Sequence, residues 1–190
     1  METKIIELLK AGKIGVMATD TIYGIVGSAL NPATVEEIYE LRHREKDKPF
    51  IVLISSLEDL KMFEVSLSKE QKEFLDKNWP NPLSVILAVN NEKFKYLHRG
   101  KNSLAFRMPQ EEKLRKLLKE TGPLVAPSAN PAGSKPAETL AEAKEYFGSR
   151  VSFYEEGGRL KSKPSTIIRL YEDGSIIMLR QGSFSVSRSL

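Results

Sequence analysis

Short apolar runs alternate along this chain with segments that carry helix start signals, and that alternation limits the fold more than any other feature. Phe50–Ile54, Ser84–Val89, Leu104–Met108 and Leu124–Ala126 are strand-sized runs, and Ile14, Val16 and Ala18 alternate as a half-buried strand does. Between them lie helices. Ile5, Ile6, Leu8 and Leu9 share one helical face that Gly12 is placed to end. Asn31-Pro32 reads as N-cap plus first-turn proline for a helix through Val35, Ile38 and Leu41. Ser68–Gln71 and Thr139–Glu142 have capping-box spacing, with Gly148 closing the second helix. A basic helix carries Leu114, Leu117 and Leu118 on one side. The tail reads as a hairpin, 166–171 with 175–179, turned at Asp173-Gly174. Interleaved strands and helices with an antiparallel pair at the end predict an α/β protein, a twisted mixed sheet flanked by helices. No repeat, low-complexity tract or linker interrupts residues 1–190, so a single domain is expected.

Composition removes several chemistries. The chain has no cysteine, which excludes disulfides, thiolate-bound zinc, iron–sulfur clusters and thiol nucleophiles. Its only histidines, His43 and His98, are too few for a histidine-built metal site, so no protein metal site is expected. His98 lies in a polar stretch and is expected at the surface. Neither a Gly-x4-Gly-Lys-Ser/Thr phosphate loop nor a Gly-x-Gly-x-x-Gly fingerprint, Gly-x-Ser-x-Gly elbow or His-Glu-x-x-His helix occurs. The N-terminus is charged throughout, and the longest apolar run, 85–89, falls far short of the ~20 residues that span a bilayer. A cytoplasmic protein without a membrane partner is therefore expected. The net charge of +4 suggests an anionic partner, nucleotide or nucleic acid.

Four segments sit at or beyond the ends of expected elements, where chains present function. Thr19-Asp20-Thr21-Ile22-Tyr23-Gly24 follows the first strand, as a polar ligand site or a strand-to-helix turn. Arg42–Pro49 is a basic run leaving a helix end, where cations also favour the helix dipole; arginine's planar fork suits phosphate or carboxylate. Pro127–Gly133 is a loop of small residues, suited to close ligand approach or to a plain turn. Pro164-Ser165-Thr166 and Leu179-Arg180-Gln181-Gly182 lie at neighbouring strand ends. Arg107 is one more charge, alternating within an apolar strand toward either solvent or a ligand.

In this order the segments resemble the YrdC-type (YrdC/YciO) family of threonylcarbamoyl-AMP synthases, in its short single-domain form. The match runs from Ile14 to Gly182 and includes Thr-Asp-Thr-Ile-Tyr-Gly at 19–24, Arg-x-Arg at 42–44 and Lys-Pro at 48–49. It continues through Trp-Pro-Asn-Pro-Leu-Ser at 79–84, Arg-Met-Pro at 107–109, Pro-Ser-Ala-Asn at 127–130, Pro-Ser-Thr-Ile at 164–167 and Leu-Arg-Gln-Gly at 179–182. The chain departs from the family pattern at Arg42, where a lysine is usual. It departs also at Asn81 for glycine, Ala132 for serine and Asp20 for glutamate.

The resemblance implies a twisted α/β fold with a positively charged central cleft. It implies a nucleotidyltransferase that makes threonylcarbamoyl-AMP and pyrophosphate from L-threonine, bicarbonate and ATP. Mg2+ accompanies the phosphates, and the product passes to a tRNA threonylcarbamoyl-transferase complex. By motif position, Arg42, Arg44 and Lys48 would be catalytic. Arg44, Lys48, Ser103, Ser128, Asn130 and Arg180 would bind ATP, and Thr21, Tyr23, Arg107, Ala126 and Ser165 would hold threonine. The alternative is an RNA-binding protein, for double-stranded RNA or tRNA, that uses the same basic cleft and the Lys- and Arg-rich Lys93–Lys119 region without catalysis.

Overall fold

A computed structural model describes residues 2–186. The strands form one nine-stranded mixed sheet in the order β7-β1-β2-β6-β3-β5-β4-β8-β9. These are β1 (Gly15–Ala18), β2 (Tyr23–Ser28), β3 (Ile51–Leu53), β4 (Leu83–Ala88), β5 (Ser103–Arg107), β6 (Leu124–Val125), β7 (Phe153–Tyr154), β8 (Thr166–Leu170) and β9 (Ile176–Arg180). β3 with β5 and β4 with β8 run parallel, whereas β4 with β5 and β8 with β9 run antiparallel. The mixed α/β architecture agrees with the sequence expectation.

Helix starts follow the expected capping chemistry. Asn31 Oδ1 accepts from Ala33 N and Thr34 N to open α2 (Pro32–Arg42). Ser68 and Gln71 form a reciprocal capping box at α3 (Lys69–Asn78), as do Thr139 and Glu142 at α6 (Leu140–Phe147). α2 ends at His43, whose φ of 51° turns the chain out of the helix and toward Arg44.

The two faces of the sheet are used differently, and this difference creates the site. Side chains alternate across a strand. One face is packed throughout: Val16, Ile25, Val52, Val85, Leu87, Leu104, Phe106, Val125 and Ile168 all join one core with Val35 and Ile38 of α2. The opposite face is packed on one side only. There Met17, Val26, Leu53 and Leu124 meet Ile5 and Leu9 of α1 (Glu2–Lys10) and Leu114, Leu117 and Leu118 of α5 (Glu112–Thr121). Over β5, β4 and β8 the same face carries Ser103, Ala105, Arg107, Ile86, Ile167 and Arg169 and opens into a cavity.

Two expectations need correction, and one strand is additional. Tyr23–Ser28 is a strand, so Thr19–Gly24 closes a β1–β2 hairpin rather than leading into a helix. The two glycines in Tyr-Gly-Ile-Val-Gly-Ser hid it. β7, two residues long and paired with β1, was also not anticipated. His98 is fully buried in α4 (Lys95–His98), not at the surface, with Nδ1 accepting from Gly100 N at 3.1 Å. α4 packs against α2 and β5, contacts that its polar composition does not announce. Among the described residues no helix is long and apolar enough to cross a membrane.

Candidate active site

The cavity over the open half of the sheet has a volume of about 430 Å³, within the usual range for small-molecule sites. All four segments singled out in the sequence reach it. Thr21, Arg42, Arg44, Ser103, Arg107, Ala126, Ser128, Ser165 and Arg180 line it. Lys101 and Arg169 line it too and were not anticipated. Arg169 had a readable signal: like Arg107, it is a lone cation at an alternating position of an apolar strand. The described lining includes no Asp or Glu.

Thr19 organises the hairpin turn. Its Oγ1 donates to Ile22 O at 2.7 Å and accepts from Thr21 N and Ile22 N at 3.3 Å, a local side-chain bond that replaces missing backbone pairs. This aims Thr21, whose Oγ1 accepts from Arg107 Nη1 at 3.4 Å. Arg107 is buried and pairs with Asp20, Nη2 to Oδ1, at 3.1 Å. The pair is a close ionic contact more than an aligned hydrogen bond, since Asp20 Oδ1 has no donor in good geometry. Burial lowers the Arg107 pKa, and the Asp20 charge opposes that shift.

Arg180, at the end of β9, is held by neutral oxygens. Its Nε and Nη2 donate to Ser165 O at 3.1 and 2.8 Å. Ser165 Oγ lies 2.9 Å from Ser84 Oγ. Burial lowers the Arg180 pKa, and the like charge of Arg107 adds to it. The chain turn after Arg180 is fixed by Thr166, whose Oγ1 accepts from Gly182 N at 3.0 Å and donates to Phe184 O at 2.5 Å. A Cβ at Gly182 would fall 2.2 Å from Pro164 O, so only glycine lets the strands meet here.

Arg42 is also buried, at 3% exposure. Its Nε donates to Asn130 O at 2.9 Å and its Nη2 to Ser128 Oγ at 3.1 Å. Burial brings its pKa down to about 10, with Arg44's charge contributing, which leaves it cationic at neutral pH.

The remaining expected site residues stand outside the lining. Lys48 is exposed and pairs with Glu45 at 2.7 Å. Asn130 is buried in its own loop, where Nδ2 donates to Pro131 O and Ser134 O, each at 2.9 Å. Tyr23 is fully buried and does not pack over the cavity: its hydroxyl donates to Gly158 O at 2.7 Å and accepts from Gly157 N at 2.9 Å. Alternation explains this, because Gly24 faces the cavity and Tyr23 therefore faces the core.

Known proteins resemble this chain in sequence and in fold. The family model Sua5/YciO/YrdC, described as telomere recombination, matches residues 7–182. A threonylcarbamoyl-AMP synthase of Marinobacter nauticus is 32% identical over 161 residues, covering 83% of this chain and 85% of that protein. The Pyrococcus abyssi threonylcarbamoyl-AMP synthase is 31% identical over 92% of this chain, which spans only 52% of that longer protein. The structure of P. abyssi Sua5 complexed with L-threonine superposes with a TM-score of 0.84 at 29% identity, over 96% of this chain and 55% of that one. Escherichia coli YciO, at 21% identity and a TM-score of 0.84 over 97% of this chain and 90% of its own, shares the fold. With the family model matched across nearly its whole length, this chain belongs to the Sua5/YciO/YrdC family.

Proposed function

We propose that the chain is an L-threonylcarbamoyladenylate synthase that makes threonylcarbamoyl-AMP and pyrophosphate from L-threonine, bicarbonate and ATP. The observation that carries this reading is one cavity in which Arg42, Arg44, Lys101, Arg107, Arg169 and Arg180 converge among small hydroxyls, with no carboxylate in the described lining. Such a lining suits the gathering of several anions. In the reaction, threonine's amine and bicarbonate give a carbamate and water. A carbamate oxygen then attacks the α-phosphate of ATP, and pyrophosphate leaves. No protein nucleophile is required; positioning and charge stabilisation supply the acceleration.

Arg44, Ser103, Ser128 and Arg180 are the residues we assign to the nucleotide, and Thr21, Arg107, Ser165 and the backbone at Ala126 to threonine. Asn130 serves the nucleotide through its loop. Magnesium would arrive with the ATP. Among the described residues no group of three or more His, Asp or Glu could hold a metal, so phosphate oxygens and water would carry the ion. The reading places the enzyme in the cytoplasm, upstream of transfer to tRNA.

The test incubates the protein with ATP, magnesium, bicarbonate and L-threonine and follows pyrophosphate release with each component omitted. Release that requires all of them is expected. Release without threonine or bicarbonate would sink the assignment.

A further inference from the structure

Arg42 is buried at the end of α2 among neutral acceptors, and the geometry gives it a task of its own. We propose that Arg42 is a positioning residue: it clamps the 128–134 loop to the end of α2 and so sets how tightly that loop receives the nucleotide, a task lysine cannot perform. The functional half of this inference rests on the ATP-using reading above.

The loop is paired to β2 through Ala129 N, which donates to Tyr23 O at 2.8 Å, and Arg42 supplies its hydrogen bonds to α2. The Arg42 carbonyl, in the last turn of α2 where helix carbonyls lack internal partners, accepts from Ala132 N at 2.7 Å. Its side chain adds Nε to Asn130 O at 2.9 Å, Nη2 to Ser128 Oγ at 3.1 Å and a longer Nη2 contact to Asn130 Oδ1 at 3.4 Å. Main chain and side chain thus grip the loop at residues 128, 130 and 132. Every acceptor is neutral, so the grip fixes the loop without cancelling the charge.

A lysine would replace this fork with a single ammonium on a flexible stem. It has no counterpart to Nε, the group that reaches Asn130 O from inside the protein, and one nitrogen cannot occupy the positions of both Nε and Nη2. Asn130 has no alternative use for its own side chain, whose Nδ2 is already committed to Pro131 O and Ser134 O. The ligand-facing group of the loop is Ser128, which lines the cavity and whose Oγ is oriented by Arg42. Arg44, two residues on, supplies the direct cation: it lines the cavity, and its Nε donates to Lys48 O at 3.2 Å. Arg42 lines the cavity too, but its Nε and Nη2 are committed to the loop, and Nη1 is buried without a hydrogen bond.

The experiment compares wild type with Arg42→Lys, which keeps the positive charge and removes the planar fork. Amide hydrogen exchange is read in the ligand-free protein, and ATP and threonine affinities are read by calorimetry. Expected are exchange at Ala129 and Ala132 accelerated by about tenfold or more, an ATP Kd raised about tenfold and a threonine Kd unchanged. The effect of Ser128→Ala on ATP affinity should also shrink in the Arg42→Lys background, because the clamp acts through that hydroxyl. Wild-type exchange and affinity in Arg42→Lys would overturn the proposal. So would a raised ATP Kd with unchanged exchange, which marks a direct phosphate contact, or faster exchange with unchanged ATP Kd, which marks a brace without functional reach. If Arg42→Lys fails to fold, Ser128→Ala removes one tie alone and must show the same split at smaller size. Wild type that binds no ATP would defeat the functional reading instead, and the exchange arm would then decide the clamp by itself.

Discussion

Arg42 and Arg107 are both buried guanidiniums lining one cavity, yet they are held by opposite means. Arg107 is paired with the carboxylate of Asp20. Arg42 is held by a carbonyl, a hydroxyl and an amide oxygen, and Arg180 follows the same pattern on Ser165. A carboxylate fixes a guanidinium and cancels its charge; a neutral acceptor fixes it and leaves the charge available. The Asp20–Arg107 pair is thus close to neutral in itself, while Arg180 stands near enough for the Arg107 charge to act on it. The Arg42 and Arg180 positions keep a net positive charge, which complements a polyphosphate. One cavity thus carries guanidiniums anchored in two ways.

The largest expected effect tests the ion-paired side. Asp20→Ala strands Arg107 in the interior without its counter-charge, and breaking one half of a buried pair costs about 3–5 kcal/mol. Urea denaturation should report a loss of that size. A loss no larger than that of Ser128→Ala would erase the distinction between the two modes. Gly182→Ala comes next: its Cβ would meet Pro164 O at 2.2 Å and Ser165 C at 2.4 Å. Overpacking of this kind costs about 1–3 kcal/mol, and it displaces the carbonyl that holds Arg180. Both Tm and the KM for ATP should move together; a lowered Tm with unchanged ATP KM would show that Arg180 does not depend on its neutral anchor.

Smaller effects bound the comparison. Tyr23→Phe removes a hydroxyl bonded to Gly157 and Gly158 behind the site, for a loss of about 1 kcal/mol in denaturant. A far larger loss would place Tyr23 among the substrate contacts after all. Lys48→Met should cost under about 0.5 kcal/mol, because its pairing with Glu45 is solvent-exposed. A greater loss would show that this exposed charge is coupled to the cationic interior.

Much of this architecture was legible in the sequence where local chemistry decides it. The Asn31-Pro32 start, both capping boxes and the Asp173-Gly174 turn depend on residues within a few positions of one another, and all formed as expected. The order of motifs likewise brought Thr21, Arg44, Ser128, Ser165 and Arg180 to one cavity. What the sequence concealed depends on partners far along the chain. β2 holds its glycines because Gly27 lies against Thr34 and Ile14, and Gly24 against Thr19 and Pro127, so strand propensity alone missed it. Lys48 stands in the right motif but its side chain leaves the cavity, and Tyr23 follows strand parity into the core. His98 is buried in α4, which packs against α2 and β5, contacts that its polar stretch does not report.

The half-open face of the sheet has a consequence for how such a protein can change. Along β4, β5 and β8 core and cavity residues alternate: Val85 and Leu87 flank Ile86, and Leu104, Phe106 and Ile168 alternate with Ser103, Ala105, Arg107, Ile167 and Arg169. Foundation and floor are interleaved in sequence but face opposite sides. New substrates could therefore be explored by altering every second residue while the intervening ones keep the scaffold standing. Deleting a single residue within one of these strands would do the reverse, turning the foundation into the floor in one step.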